Sequence, residues 1–359
     1  MPNARPLLNP ALRRVWRDRS TLQLGLDPAH AVVISGLDPP SARLIETLDG
    51  SRDLTGVAQG ALRLGLDRRQ LDDVLALLAR AGVLEDGAGD GATLAALAGL
   101  SRDERDRLGP DVAAASLVRR GPDSDSHGPL ARRRRSVVQV IGAGRVGAAA
   151  VTLLASAGVG AVVVDDAGIT GHADVGPAAL AVEDVGVRRQ EAAVRAARRI
   201  APSVRSTLPS GRRYPDLAVI AAAAGVDPAI ADRLLRAGVP HLVTRVRETT
   251  GVVGPLVLPG RSSCHRCHEL HRTDRDPAWP GIAAQLLSGP RHRSAACDTV
   301  LATAVAAHTA LQVLAYLDGD PAPPAVDGTL EIAQADGSVR RRSWAPHPLC
   351  GCQWARRPA

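Results

Sequence analysis

The five cysteines of this 359-residue chain all fall in its last third, at Cys264, Cys267, Cys297, Cys350 and Cys352. Four of them form two close pairs, Cys264-His265-Arg266-Cys267 and Cys350-Gly351-Cys352, with 82 residues between the pairs. Two such pairs suit a closed, tetrahedral tetrathiolate zinc site that clamps the C-terminal tail to the domain body. With no open coordination position the metal is structural rather than catalytic. A rival set of Cys264, Cys267, His268 and His271 is chemically possible but leaves Cys350 and Cys352 unexplained. Cys297 is the odd thiol, a candidate nucleophile or a buried structural cysteine. His292, His308 and His347 have no carboxylate or second histidine four residues away on a helix face, and they read as surface or satisfied core histidines.

A second chemistry-bearing segment runs Val137-Val138-Gln139-Val140-Ile141-Gly142-Ala143-Gly144-Arg145-Val146-Gly147. This is a strand entering GxGxxG and then an alanine-rich helix, residues 148–157. Gly142 permits the tight turn, Gly144 lets backbone approach a phosphate, and Gly147 lets the helix pack on the strand. The helix N-terminus then offers free N–H groups to an anion. Asp165 or Asp166 lies 18 or 19 residues after Gly147, at the end of the next strand. An acidic side chain there can accept from a ribose hydroxyl, and Asp165 is the better placed. The pattern alone does not separate NAD from ATP.

The elements that position these groups follow from hydrophobic period. From residue 136 onward β-branched runs (137–141, 159–165, 217–221) alternate with helical patterns, which predicts a mostly parallel sheet covered by helices. Residues 1–87 read as a separate unit. Two short strands lie at 21–26 and 31–35, helices follow at 40–48, 55–64 and 69–81, and Gly82-Val83-Leu84 closes the last one, the grammar of a winged helix. Residues 88–135 read as a linker carrying an amphipathic helix at 101–118, with Arg132 to Arg135 as a solvated connector.

Composition bounds the function. The 44 basic residues are all arginine, against 37 acidic ones, and there is no phenylalanine. An arginine-only, alanine- and glycine-rich chain carries the coding bias of a GC-rich genome, so its basic balance does not by itself point to nucleic acid. Arg63, Arg68, Arg69 and Arg80 could meet DNA phosphates from a winged helix, but Asp72, Asp73 and Glu85 interrupt that surface. No apolar run approaches the roughly 20 residues needed to span a bilayer, and there is no secretory signal. A cytoplasmic protein without membrane contact is expected.

Taken together, residues from about 132 to the end resemble the ThiF/MoeB-type E1-like superfamily, which activates protein C-terminal carboxylates with ATP. The glycine loop at 142–147 matches, as does Asp184-Val185-Gly186 with Arg189 where the family has a phosphate-binding lysine. Residues 251–259 followed by Cys264-x-x-Cys267, and the long helix at 302–317, also match. The resemblance implies an α/β, Rossmann-like E1 domain over 136–359 with a structural zinc, preceded by a small α+β winged-helix domain. It implies ATP and magnesium as ligands, with Gly142, Gly144, Gly147, Asp165 and Arg189 at the nucleotide, and a homodimer. Cys297 lies where ThiF-type members carry a cysteine used in acyl or sulfur chemistry. The first 87 residues resemble the PqqD-like leader-recognition domain of peptide-modification systems, which implies that an extended peptide adds a strand to the small sheet.

Two departures weigh on activity. Family members follow the third strand with an aspartate that handles magnesium and the attacking carboxylate, whereas this chain reads Ala221-Ala222-Ala223-Ala224-Gly225, with Asp227 beyond. The family's Arg-Gln after the second strand is replaced within Asp174-Val175-Gly176-Pro177. Adenylyl transfer depends on positioned charge and metal. The sequence therefore predicts a protein that recognises a peptide or ubiquitin-like carrier and presents it to a partner modification enzyme, with a degenerate adenylation site. The alternative is an active adenylyltransferase.

Overall fold

A computed structural model describes residues 4–87, 91–118, 128–221, 225–288 and 296–353, with burial assigned from residue 94 in the second segment. The chain divides into two compact units, Met1–Ala131 and Arg132–Ala359.

The first unit carries strands β1 (Pro6–Leu8), β2 (Arg14–Trp16), β3 (Leu22–Leu24) and β4 (Val32–Ile34), then helices α1 (Pro39–Glu46), α2 (Leu54–Arg63) and α3 (Arg68–Arg80). Strand β5 (Leu84–Asp86) and helices α4 (Gly91–Ala98) and α5 (Arg102–Val118) follow. Strands β2, β3 and β4 form an antiparallel sheet, while β1 pairs with β5. Asp38, Asp53 and Asp67 cap α1, α2 and α3 by accepting from Ser41, Gly56 and Gln70 amides. Each such cap satisfies an orphan donor, which is why all three helices start where an aspartate stands. Leu44, Leu48, Leu71 and Leu78 close the core beneath them.

Helix α6 (Pro129–Arg135) leads into the second unit, which continues β6 (Val137–Ile141), α7 (Arg145–Ser156), β7 (Ala161–Asp165), α8 (Arg189–Ile200), β8 (Leu217–Ala221), α9 (Pro228–Arg236), β9 (His241–Arg247) and β10 (Thr250–Val257). Helices α10 (His265–Arg275), α11 (Trp279–Ser288) and α12 (Thr299–Leu317) precede β11 (Gly328–Ala333) and β12 (Val339–Ser343). The seven-stranded sheet has the order β12-β11-β10-β9-β8-β6-β7. Strands β6 to β9 run parallel, β11 points the same way, and β10 and β12 are reversed. Strands β6 and β8 are buried on both faces, so they read as largely apolar runs, with Gln139 the one polar residue. Helices α7, α8 and α12 cover one face, around Val138, Val151, Ala193, Leu242 and Val305. On the other face α9 packs through Ala231 and Leu234 onto Ala218, Ile220 and Val243.

Two expectations are corrected. Helix α12 is long and apolar enough to cross a bilayer, so an apolar run of that length does exist; half of it is buried inside the domain, where Val305 and Val313 meet the sheet-side core. Its length serves to run beside α7, where Ala149, Ala150 and Ala306 allow close approach. The arginine run is not a solvated connector either. Arg133 forks Asp318 at 2.8 and 2.6 Å, with side chains only 11% and 15% exposed, and Arg134 donates to Ser203 Oγ.

Candidate functional site

The glycine loop joins β6 to α7. Gly142 has φ +94°, the left-handed region that side chains avoid, and a Cβ there would overlap the carbonyl oxygen of Ala221 on the neighbouring strand. A Cβ on Gly147 would overlap the carbonyl oxygen of Gly142. Both glycines are therefore demanded by the strand–helix crossing. Gly144 differs: it is the N-cap of α7 with φ −72°, makes no side-chain cap, and faces nothing nearer than Asp174 Oδ1 at 3.8 Å. The first turn of α7 thus presents uncapped amides beneath open space, an arrangement that favours an anion.

The acidic residues around this loop divide the work. Asp166 accepts from the amides of Ala143 and Gly168, each at 2.6 Å, while Asp165 stands exposed at the end of β7. Arg189, the first residue of α8, donates from Nε to Asp174 Oδ2 at 2.8 Å and lies 4.0 Å from Asp166. Asp174 also accepts from the amide of Gly171. One guanidinium is thus held between two carboxylates at the loop mouth. Asp184 is buried and bonds Arg195 at 2.5 Å and the amide of Ala181. Burial opposes its charge, but these donors win and hold its carboxyl below the ordinary value. Its part is to fix the turn into α8.

The four paired cysteines converge at the far end of the unit. Cys264 stands at the N-cap position of α10 and Cys267 lies in its first turn, so both thiols share one end of that helix. Gly351, with φ +71°, turns the tail so that Cys350 and Cys352 face them. The Sγ–Sγ distances are 3.8 Å for Cys264–Cys267, 3.4 Å for Cys264–Cys350 and 3.5 Å for Cys267–Cys352, and all four sulfurs lie within 4.8 Å of one another. A tetrahedral centre with metal–sulfur bonds of about 2.3 Å has edges of about 3.8 Å, so the cluster has the size of a metal tetrathiolate and is far too open for disulfides. Without a cation the thiols compete. Burial and the Cys267 hydrogen bond push Cys352 up to about 12, whereas hydrogen bonding from Cys264 draws Cys267 down to about 4. Four thiolates together require a bound cation.

The tail is braced beside the thiols. His347 Nδ1 accepts from the amide of Leu349 at 3.1 Å, which places the ring proton on Nε2, 2.8 Å from Asp274. The His347 carbonyl in turn accepts from the amide of Cys350. His268 stacks on Trp344 and reaches Ser263, and His271 meets the Ala345 carbonyl. The histidines of the rival set thus have other partners, and His347 is a satisfied one.

Residues 123–352 match the ThiF family. The chain belongs to the ThiF family. Crystal structures of E. coli MccB, described as a microcin C7 biosynthetic enzyme, share this fold: the MccB–ATP structure superposes with a TM-score of 0.69 at 14% identity over 97% of this chain and 99% of that one. MccB with AMPCPP and MccA gives 0.70 at 14% identity with the same coverage, and PaaA gives 0.67 at 17% identity over 93% and 99%. At these identities the likeness is one of fold. No curated protein sequence matches the chain.

Other ThiF-type positions are placed as follows. Cys297 is half-buried and precedes α12; its carbonyl accepts from Arg145 Nη1 at 2.8 Å, and that guanidinium also reaches Thr299 and the Ala173 carbonyl. Burial raises the Cys297 thiol, against the opposing charge of Arg145 nearby. Asp227 caps α9 by accepting from Ala229. Ala222, Ala223 and Ala224, where the family's aspartate is missing, and His292 lie outside the described residues. Sequence reasoning missed Arg145 and the Asp174 clamp, and weighed Asp166 only as the alternative to Asp165. Arg145 occupies a variable position of GxGxxG, and the clamp depends on a loop fold that spacing does not encode.

Proposed function

We propose that this ThiF-family protein recognises a peptide or small carrier protein and presents it for modification by a partner enzyme, with an adenylation site that has lost turnover. The observation that carries this reading is the clamp on Arg189. The cation that stands at the family's phosphate-binding position is already neutralised by Asp174 at 2.8 Å and flanked by Asp166, and phosphoryl-group chemistry needs that charge free. The alanines in place of the family's aspartate support the same reading, as does Asp227, whose carboxylate caps a helix. The four-cysteine centre holds zinc and locks the tail, a structural role that persists without catalysis.

The first unit is the peptide-recognition part in this reading, a PqqD-like winged helix that accepts an added strand. Its β2 edge is exposed along all three residues, with Val15 and Trp16 available to an incoming chain. The fold shared with MccB, solved with N-formylated MccA, supports a peptide-modifying context. The test offers the full-length chain a displayed peptide library without ATP. Enrichment of one sequence pattern, unchanged in Arg189→Ala, is expected; no enrichment, or enrichment only with ATP, would overturn the reading.

A second reading, an active adenylyltransferase, is favoured by the retained loop shape: Gly142 and Gly147 are demanded sterically and the α7 amides remain uncapped. That reading predicts pyrophosphate exchange, which the first does not.

A further inference from the structure

On the sheet face away from α7 and α12, helices α9, α10 and α11 enclose with β9 a cavity of about 320 Å³, the size of a small-molecule site. Its walls are chiefly apolar and include Val226, Trp279, Leu286 and Leu287. Into it faces Arg245, only 7% exposed, whose Nε has no hydrogen-bond partner. The neighbouring acid is already committed: Glu269 accepts from Arg272 at 2.5 Å and from Trp279 Nε1 at 2.6 Å. Asp232 and Arg266 also line the space.

A buried guanidinium nitrogen without a partner is destabilising, because it has lost water and gained no acceptor. Arg272 and Arg247 lie near enough to repel it as well, and burial with these like charges draws it down to about 10, which leaves it charged at neutral pH. Apolar packing would be better served by leucine at this position. Retaining arginine makes sense where an anion completes the site, since the guanidinium fork matches a carboxylate. His241, at the cavity wall, donates Nδ1–H to the Val239 carbonyl and so keeps Nε2 as an acceptor.

We propose that this cavity is a binding site for a carboxylate carried on an apolar group, with Arg245 holding the carboxylate and Leu286, Leu287 and Val226 enclosing the apolar part. No residue of the glycine loop lines this cavity. The carboxylate can come from a free apolar acid or from the last residue of a peptide, and the two sources are separable.

The experiment titrates the full-length protein with N-acetyl-leucine, N-acetyl-leucinamide and a Gly-Gly-Leu peptide acid, by calorimetry and by tryptophan fluorescence, since Trp279 lines the cavity. The acid is expected to bind at least about tenfold more tightly than the amide, the factor of one charge-assisted hydrogen bond. Arg245→Gln should bring the acid down to the level of the amide, with zinc content unchanged as the check on folding. Leu286→Trp, which fills the cavity and leaves Arg245 in place, should weaken acid and amide together. A peptide acid binding more tightly than N-acetyl-leucine assigns the site to peptide ends; equal or weaker binding assigns it to free acids. Equal affinity for acid and amide in the unsubstituted protein, binding of neither, or acid binding that survives Arg245→Gln would overturn the proposal.

Discussion

Two alanine substitutions four residues wide test the geometry of the glycine loop. A Cβ at Gly147 would fall on the Gly142 carbonyl, 2.9 Å from its carbon and 3.1 Å from Ala221 Cβ. The nearest atom is the Gly142 carbonyl oxygen, well inside the roughly 3.0 Å that a Cβ needs from any heavy atom, so the β6–α7 junction must open by roughly 1 Å at a point where Gly142 already has φ +94°. Neither neighbour is a flexible side-chain end that could yield cheaply. Overpacking of this kind costs about 3 kcal/mol, or roughly 6–12 °C in Tm for a domain of this size. At Gly144 the nearest atom is Asp174 Oδ1 at 3.8 Å and φ is −72°, so Gly144→Ala should cost only about 0.5–1 kcal/mol as a poorer N-cap. Calorimetric melting of the two variants beside the parent reads the difference. Equal losses, or a Gly147→Ala protein as stable as the parent, would refute the argument that the third glycine is fixed by sterics.

Cys350→Ala removes one of four thiols that lie within 4.8 Å; elemental analysis should fall from about one zinc per chain to nearly none, and unchanged stoichiometry would rule out the tetrathiolate. Arg133→Ala strands the largely buried Asp318 carboxylate, with an expected loss of about 3 kcal/mol in urea unfolding that Arg133→Ala with Asp318→Ala partly restores. His241 has its pKa lowered by burial, so it stays neutral in the fold while the unfolded chain protonates near pH 6.5. Its contribution is complete above that pH and declines as pH falls below it, by at most about 1.4 kcal/mol per pH unit. Unfolding at pH 7 and pH 5.5 should show that loss, and His241→Asn should flatten it.

The parallel strands at 137–141 and 217–221 were legible because a strand buried on both faces writes a mostly apolar run, interrupted here only by Gln139. The thiol cluster was legible because CxxC places two ligands on one helix end and CxC needs only a turn, supplied by Gly351. The division between Asp165 and Asp166 was not, since adjacent residues at a strand end differ only in the side to which they point. Arg132 to Arg135 misled because charge runs are usually solvated, and the partner of Arg133 lies 185 residues away. The cavity was invisible for a related reason. Arg245 sits in β9 among residues that are mostly buried, and the cavity it lines is closed by α9, α10 and α11, the last two well removed from it in sequence. Helix α12 shows the same limit, since apolar length does not distinguish a core helix from a membrane span.

The central claim is that the Arg189 clamp and the missing aspartate leave a peptide-presenting protein without adenylation. Pyrophosphate–ATP exchange tests it most directly, run with magnesium on the full-length chain and the peptides recovered from the displayed library, synthesised with free C-termini. The account predicts exchange at background for every peptide, including those that bind. Peptide-dependent exchange above background would contradict it and establish the chain as an adenylating enzyme.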